Sequence, residues 1–249
     1  MRRIVIGVAA LIVTGCGSHG DAGQNAGAAS TASPGKTMAS AAPPPATVVP
    51  DLAACPAREP VDEGARQRTR PIPVPPPLHQ VMRSDMDNFA IATLGGATVC
   101  VDASWMEDIR APALSADERF VSFDWDGYEA FGHIVVDRNG KGVMIDTGTA
   151  PVASPSGKLL AAVDLGEAAF GALNAFAVWQ ADGLRQLAKQ EDVPQATDWK
   201  IERWAGEDCV ELSTVPWEKS TGAASDPRQA YHASAGKRWR LEPGRCAAG

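Results

Sequence analysis

Two phrases of the chain match each other at a spacing of 39 residues, and this spacing constrains the fold more than any other feature. The first phrase covers residues 112–122 and the second covers residues 151–161. In each, a proline leads to a serine, then to a polar turn with a cation, and then to a short apolar run. A period near 40 residues is typical of β units such as propeller blades. The region is therefore predicted to use one β unit more than once.

Fainter echoes of the phrase lie at residues 194–200 and 234–239, which extends the pattern to about four units. Apolar and polar side chains alternate over residues 121–126 and predict a half-buried strand. Asn139-Gly140 and Asp182-Gly183 predict hairpin turns. A short helix over Gly183–Glu191 is the alternative at the second of these. The predicted fold class is all-β, a single domain of about four propeller-like units of about 40 residues. An open β-sandwich of about eight strands is the alternative.

The turn at residues 154–158 reads Ser-Pro-Ser-Gly-Lys. It resembles the Ser-Pro-Asp-Gly-Lys turn of TolB-type periplasmic β-propeller repeats, with Ser156 in the place of the usual Asp. The resemblance implies that the β units of the C-terminal region are arranged like the blades of a propeller.

The chain begins with Met1-Arg2-Arg3 and ten apolar residues, 4–13, a pattern typical of an export signal. Ten residues rise only ~15 Å as a helix, against a hydrocarbon layer of ~30 Å, so they are too short for a transmembrane span. Residues 13–16, Val-Thr-Gly-Cys, follow directly and resemble the lipobox of bacterial lipoproteins. The resemblance implies cleavage before Cys16 and attachment of a diacylglyceryl group to its sulfur.

This signal predicts a protein of the cell envelope, anchored by its N-terminal lipid. Each buried CH₂ of an acyl chain contributes ~0.8 kcal/mol, so several chains on one residue suffice for attachment. Gly17 stands where an Asp would resemble the inner-membrane retention signal of Gram-negative lipoproteins. If the source is Gram-negative, the outer membrane facing the periplasm is therefore the favoured location.

Amino-acid composition separates a predicted tether after Cys16 from a predicted globular part. Residues 17–50 are nearly all Gly, Ala, Ser, Thr and Pro, which predicts a disordered tether because too little apolar surface is available to offset chain entropy. Every aromatic side chain lies at or beyond Phe89, so the globular part is predicted to begin near residue 85. The predicted domains are a signal peptide over 1–15, a lipid anchor and proline-rich tether over 16–84, and a β-rich domain over 85–249.

Within the predicted tether, Arg66, Arg68 and Arg70 precede the proline-rich run 71–77. Proline fixes the backbone near polyproline II geometry, so this run is predicted to be a stiff spacer. It is interpreted as an exposed linker. The alternative is a docking peptide for an aromatic groove, or a basic contact with anionic cell wall or headgroups.

Four cysteines follow Cys16, and an even number in an oxidising compartment predicts two disulfides. Three pairings are possible. Cys55–Cys100 with Cys209–Cys246 is favoured because each bond stays within one region of the chain. No cysteines have the C-x-x-C spacing, which argues against a zinc site or a thioredoxin-like redox site.

The densest polar cluster contains Asp124, Asp126, Glu129 and His133. If one strand carries both aspartates, their carboxylates face the same way, and His133 returns beside them across a turn at Gly127. Such a group predicts either a metal or acid–base site or, as the simpler interpretation, an acidic strand face exposed to solvent. No catalytic, cofactor-binding or metal-binding residue is assigned, and no cofactor is expected.

The mature chain, without Arg2 and Arg3, has 21 basic and 30 acidic residues, a net charge of −9. This sign argues against nucleic acid as a partner. The expected function is a lipid-anchored envelope protein whose β-rich domain binds an envelope protein or a cell-wall component. Binding is expected at an exposed patch among the seven tryptophans, most of which should be in the core. An envelope hydrolase using the Asp/His cluster and a purely structural lipoprotein are the alternatives.

Overall fold

The structure, a computed structural model, describes residues 49–57, 68–165 and 170–247. The signal peptide, the lipobox with Cys16 and most of the predicted tether lie outside these residues. Within the described ranges the chain forms fifteen β-strands, five 3₁₀ turns and no α-helix, so the prediction of an all-β fold is confirmed. None of these described residues forms a helix that is long and apolar enough to cross a bilayer.

The strands form four antiparallel sheets in chain order, and within each sheet every strand pairs with its neighbour in the sequence. The first sheet contains β1 (Met82–Ser84), β2 (Asn88–Ala92) and β3 (Thr98–Asp102). The second contains β4 (Asp108–Leu114), β5 (Phe120–Gly127), β6 (Ala130–Asp137) and β7 (Val143–Asp146). The third contains β8 (Val152–Ala153), β9 (Leu159–Asp164), β10 (Ala175–Gln180) and β11 (Arg185–Gln190). The fourth contains β12 (Ala196–Trp204), β13 (Cys209–Pro216), β14 (Gln229–Ser234) and β15 (Leu241–Pro243).

The number of sheets agrees with the predicted four β units, although the first sheet has three strands and carries none of the repeat phrases. The described strands do not form the two sheets of the alternative sandwich. The hydrophobic core is divided into three clusters, one at each junction between successive sheets. Among the described residues, no such cluster joins the fourth sheet to the first.

The central strands β6, β9 and β10 of the two middle sheets are buried on both faces, and because successive side chains of a strand point in opposite directions, each contributes to two core clusters. Ile134 and Val136 of β6 pack toward the first sheet, whereas Val135 between them packs toward the third. In β10, Phe176 packs toward the fourth sheet and the neighbouring Ala177 toward the second. The sequences of these central strands are therefore nearly continuous apolar runs.

The two strongest repeat phrases occupy the same position in successive sheets, the connection between the first strand and the second. In both turns a serine hydroxyl accepts a hydrogen bond from the backbone N–H five residues later. The donor–acceptor distance is 2.8 Å from Phe120 N to Ser115 Oγ and 3.2 Å from Leu159 N to Ser154 Oγ. The shared serine thus has a structural reason, because it closes the turn that starts each meander's long hairpin.

The fainter echoes do not share that position. Residues 194–200 enter the first strand of the fourth sheet, and residues 234–239 lie between β14 and β15. The predicted hairpins are present: Asn139-Gly140 connects β6 with β7, and Asp182-Gly183 connects β10 with β11. Gly183 has a φ of 68°, which glycine adopts without strain.

Residues that the sequence assigned to the tether pack against the first sheet. Ile72, Leu78 and Met82 are buried members of the first core cluster. The guanidinium of Arg68 donates hydrogen bonds to the carbonyls of Met86, Ala103 and Met106. The proline-rich run is therefore held against the domain, because Ile72 within it and Leu78 directly after it are buried in the core. The predicted boundary at residue 85 left this part of the core out.

The structure contains disulfides Cys55–Cys100 and Cys209–Cys246, the pairings that the sequence favours. The first attaches residues 49–57 to the outer face of the first sheet, opposite the face that carries Val101. The second attaches the C-terminal segment to the outer face of the fourth sheet, opposite the face that carries Val210. Each outermost sheet is thus covalently joined to a terminal segment of the described chain.

Candidate functional site

The structure brings two members of the predicted polar cluster into direct contact. Asp124 of β5 and His133 of β6 lie opposite each other in the antiparallel pair. His133 Nδ1 and Asp124 Oδ1 are 2.6 Å apart, a hydrogen-bonding distance. His133 is buried, whereas the Asp124 side chain is 44% exposed.

The other two members do not join this pair. Asp126 forms an ion pair with Arg110 of the neighbouring strand at 2.8 Å. Glu129 lies in the turn between β5 and β6, with a φ of 51°. Within the described ranges, no group of three or more His, Cys, Asp or Glu side chains is placed to hold a metal ion. The cluster is a histidine–aspartate pair whose imidazole orientation is fixed by hydrogen bonding.

Two further carboxylates that the sequence did not single out lie where sheets meet. Asp137 is 1% exposed, and its carboxylate accepts hydrogen bonds from Arg119 Nε at 3.0 Å and Arg119 Nη2 at 2.7 Å. It also accepts from the backbone N–H groups of Asn139 and Gly183. Burial alone would raise its pKa, and these hydrogen bonds more than offset that effect, so the pKa lies below its usual range. Asp137 therefore joins the second sheet to the third.

Asp164 is the second such carboxylate. It is 4% exposed, and burial raises its pKa although the N–H of Leu173 donates to it. A Cβ at Gly148 or Gly171 would lie 2.1 or 2.0 Å from Asp164 Oδ2, so the backbone closes around the carboxylate where only glycine fits.

Most of the tryptophans belong to the core, as the sequence predicts. Five of the seven are buried: Trp125, Trp179, Trp199, Trp204 and Trp239. The two exposed ones are Trp105, at 49%, and Trp217, at 53%. Each lines a surface depression, so the two define the candidate binding surfaces among the tryptophans.

Trp217 lies in a groove of about 350 Å³ beside the fourth sheet. It is lined by Leu165, Val193, Pro194, Gln195, Trp199 and Trp217. We call this the tryptophan groove. Its volume is at the low end of the roughly 300–1,000 Å³ typical of ligand sites. Two indole rings, a proline ring and aliphatic side chains are the usual lining of a site that binds an apolar surface.

Trp199 lines one side of the groove, and an irregularity in β12 sets the position of this side chain. The pairing of β12 with β13 shifts register between Thr197 and Lys200, and Asp198 there has a φ of 50°. The guanidinium of Arg228 donates to both the carboxylate and the carbonyl of Asp198, which holds this backbone in place. An extra residue in one strand redirects the side chain that follows it, and Trp199 is that side chain.

Trp199 has an unsatisfied donor. The residue is 9% exposed, and its ring packs on Tyr231 with centroids 5.1 Å apart. Its indole Nε1 is buried and has no hydrogen-bond partner among the described residues. Leaving a buried donor unpaired costs about 1–3 kcal/mol.

The other two depressions are more polar. One, of about 430 Å³ on the outer face of the fourth sheet, contains Arg203, Glu211, Arg228 and Arg245. The buried Glu211 accepts from Arg203 at 2.9 Å, which holds the pKa of that carboxyl below its usual range. The other, of about 360 Å³, lies between Arg68 and Trp105. In the first, the cations are engaged by carboxylates of the same sheet.

No family model matches this chain, and no curated protein matches it significantly. Function is therefore inferred from the residues and their geometry.

Proposed function

We propose that the chain is a lipid-anchored protein of the cell envelope whose β-rich domain binds an envelope component through the tryptophan groove. The single observation that carries the proposal is the groove that Trp217, 53% exposed, lines together with Trp199 and Pro194. An exposed aromatic side chain in an apolar depression is typical of a binding surface.

The envelope location is supported by two independent features. The basic, apolar start of the chain and residues 13–16 have the pattern of a lipoprotein signal. The two disulfides of the domain are typical of proteins that fold outside the cytosol. The partners proposed are the membrane, through the lipid on Cys16, and an envelope protein or cell-wall component at the groove. A tether gives the domain reach and raises its local concentration near such a partner.

Site-specific photocross-linking in intact cells tests the groove. Gln195 lines it and is exposed, so Gln195→p-benzoylphenylalanine places the cross-linker at its edge. We expect an adduct that mass spectrometry assigns to one envelope component. Lys141, exposed in the hairpin of the second sheet, is the matched control position.

A second variant ties any adduct to the groove. Trp217→Ala should abolish the adduct, whereas Trp105→Ala, which removes the other exposed tryptophan, should leave it intact. Equal adducts from positions 195 and 141, no adduct from 195, or persistence of the adduct in Trp217→Ala would overturn the proposal.

An envelope hydrolase remains the second candidate, because Asp124 and His133 form the hydrogen-bonded pair that orients a catalytic imidazole. The third predicted participant, Asp126, is instead paired with Arg110. Binding is preferred since the tryptophan groove is open to solvent and lined by apolar side chains, among them the exposed Trp217.

A further inference from the structure

We propose that β7 is an edge through which two copies of this chain pair, strand against strand, around a two-fold axis. This inference goes beyond the proposed function, because β7 belongs to the second sheet and not to the tryptophan groove. It is carried by the unpaired backbone groups of β7, by the absence of the features that protect other sheet edges, and by exposed apolar side chains.

The register of the second sheet leaves backbone groups of β7 without a strand partner. In an antiparallel pair, opposite residues alternate between those that exchange two hydrogen bonds and those that exchange none. The N–H of Thr147 donates to the carbonyl of His133 at 2.9 Å, and with this register the odd-numbered residues of β7 bond to β6. The N–H and C=O groups of Met144 and Asp146 therefore point to the free edge, and among the described residues they have no hydrogen-bond partner.

Features that protect an exposed sheet edge are missing from β7. Proteins usually protect such an edge with a cation, a proline, a bulge, a very short strand or a covering segment. β7 has four residues, no Lys, Arg or Pro, and no bulge in its pairing with β6. Its one charged side chain, Asp146, is turned inward, where it accepts a hydrogen bond from Trp125 Nε1 at 2.7 Å.

The other edges of the four described sheets are protected. The edge strand β3 has residues 49–57 joined to it by a disulfide, and β8 is only two residues long. The remaining edge strands each contain a Lys, an Arg or a Pro: β1, β4, β11, β12 and β15. The contrast indicates that the edge of β7 is kept open for pairing.

Two apolar side chains of β7 are exposed. Val143 is 41% exposed and Met144 is 44% exposed, and as neighbours in a strand they project from opposite faces of the sheet. An apolar edge with unpaired N–H and C=O groups is a template for another strand. A paired strand would remove apolar surface from water on both faces and complete the backbone hydrogen bonds.

A second copy of β7 fits these groups. With the copies antiparallel and the two Ile145 residues opposite each other, Met144 of each copy lies opposite Asp146 of the other. This register places the unpaired N–H and C=O groups of both copies in hydrogen-bonded pairs. The two Met144 side chains become diagonal neighbours on one face, and Val143 becomes a diagonal neighbour of the other copy's Ile145 on the opposite face. The exposed apolar side chains therefore meet apolar side chains.

The free stretch of β7 is no longer than its own copy can cover. The next positions that face the edge are Gly142 and Gly148, and their N–H groups are already bonded. Gly142 donates to the carbonyl of Asn139 at 2.9 Å, and Gly148 donates to the Asp146 carboxylate at 2.9 Å. A longer peptide strand would therefore gain no further donor at these positions. Two-fold pairing of identical patches is also the commonest symmetry of oligomers, so the geometry favours a second copy.

The test uses the full-length protein in detergent, with micelles in excess over protein. Light scattering corrected for bound detergent should give the mass of a dimer that dissociates on dilution. Met144→Lys should weaken self-association about tenfold or more, because the two added ammonium groups lie near each other across the axis. Leu187→Lys is the matched control, since it places the same charge on the edge strand β11, where Leu187 is 37% exposed, and it should leave the dimer unchanged.

Cysteine trapping tests the register. In the proposed pairing the two copies of Ile145→Cys lie opposite each other with Cα atoms about 4.5 Å apart, so mild oxidation should produce a covalent dimer. Val143→Cys is the control on the same strand, because it lies opposite Thr147 of the other copy and away from its own counterpart. If Met144→Lys does not fold in urea titrations, the two cysteine variants still decide whether β7 is the interface.

Several outcomes would overturn this inference. A wild-type protein that stays monomeric at every concentration has no such pairing, and a dimer that Met144→Lys leaves unchanged uses another surface. Equal trapping of Val143→Cys and Ile145→Cys would refute the register. A mixed disulfide of Ile145→Cys with another envelope protein, in place of the homodimer, would refute the second copy as the occupant.

Discussion

Replacing Asp137 with alanine should destabilise the domain by about 3–5 kcal/mol, the usual cost of removing one partner of a buried ion pair. The Asp137 side chain is 1% exposed and the Arg119 side chain is 21% exposed. The change also leaves the N–H groups of Asn139 and Gly183 without their carboxylate acceptor. Typical domains are stable by only about 5–15 kcal/mol, so the loss is a large fraction of the total.

Urea unfolding followed by tryptophan fluorescence measures this change. Asp182→Ala is the matched control because Asp182 pairs with the same arginine at 3.0 Å, but its side chain is 78% exposed. Exposed pairs contribute about 0–1 kcal/mol, so this variant should unfold close to the wild type. A double-mutant cycle with Arg119→Ala should give a coupling energy of about 1 kcal/mol or more.

The contribution of the Asp137 carboxylate to stability should also decrease as the pH falls. The pKa of Asp137 is lowered in the folded state, so its ionised form stabilises the fold at pH values above the unfolded pKa of about 3.9. That contribution is lost as the pH falls through the folded pKa. The difference between the wild type and Asp137→Asn should therefore shrink below about pH 4. A loss under about 1 kcal/mol for Asp137→Ala, or a pH-independent difference, would refute the role assigned to this junction.

Three further predictions concern the anchor, the second buried carboxylate and the polar pair. Cys16→Ala should move the protein from membranes to the soluble fraction, and detergent-only extraction of the variant would contradict lipid anchoring. Burial raises the folded pKa of Asp164, so its contribution to stability is present below about pH 3.9 and is lost as the pH rises through the folded pKa. Asp164→Asn should lack this loss in urea titrations from pH 3 to 7. A pH profile of the variant identical to that of the wild type would contradict this prediction. Asp124→Asn should leave folding and cross-linking from position 195 intact, because its side chain is 44% exposed; loss of a measured hydrolytic turnover in a folded Asp124→Asn variant would favour the enzyme.

The fold was predictable where local signals and packing agree. The shared serines at positions 115 and 154 close equivalent turns, so the strongest repeat marks real structural equivalence. The echo at residues 234–239 falls instead between the last two strands of its sheet. A short turn phrase reflects local hydrogen bonding, and it does not by itself determine where in a sheet the turn lies.

The predicted domain boundary at residue 85 shows a second limit of prediction from the sequence. Aromatic side chains mark the core after Phe89, but Ile72 and Leu78 also pack into it. Their flanking prolines make the segment look like a spacer, since composition alone does not show which surface an extended chain meets.

The candidate site was partly predictable. The alternation of β5 places Asp124 opposite His133, as expected from strand geometry. The tryptophan groove depends on a register shift in β12 and on Arg228, which lies 30 residues beyond the Asp198 that it holds. Such contacts arise from tertiary packing, so no local pattern indicates them.

The two disulfides have a consequence for how this stack of sheets resists fraying. In an array where each unit contacts only its neighbours, the terminal units have one neighbour each and open first. Here both terminal sheets carry a covalent clamp, Cys55–Cys100 at one end and Cys209–Cys246 at the other. Reducing agents should therefore loosen the array from its two extremities inward, leaving the doubly covered middle sheets as the last to open.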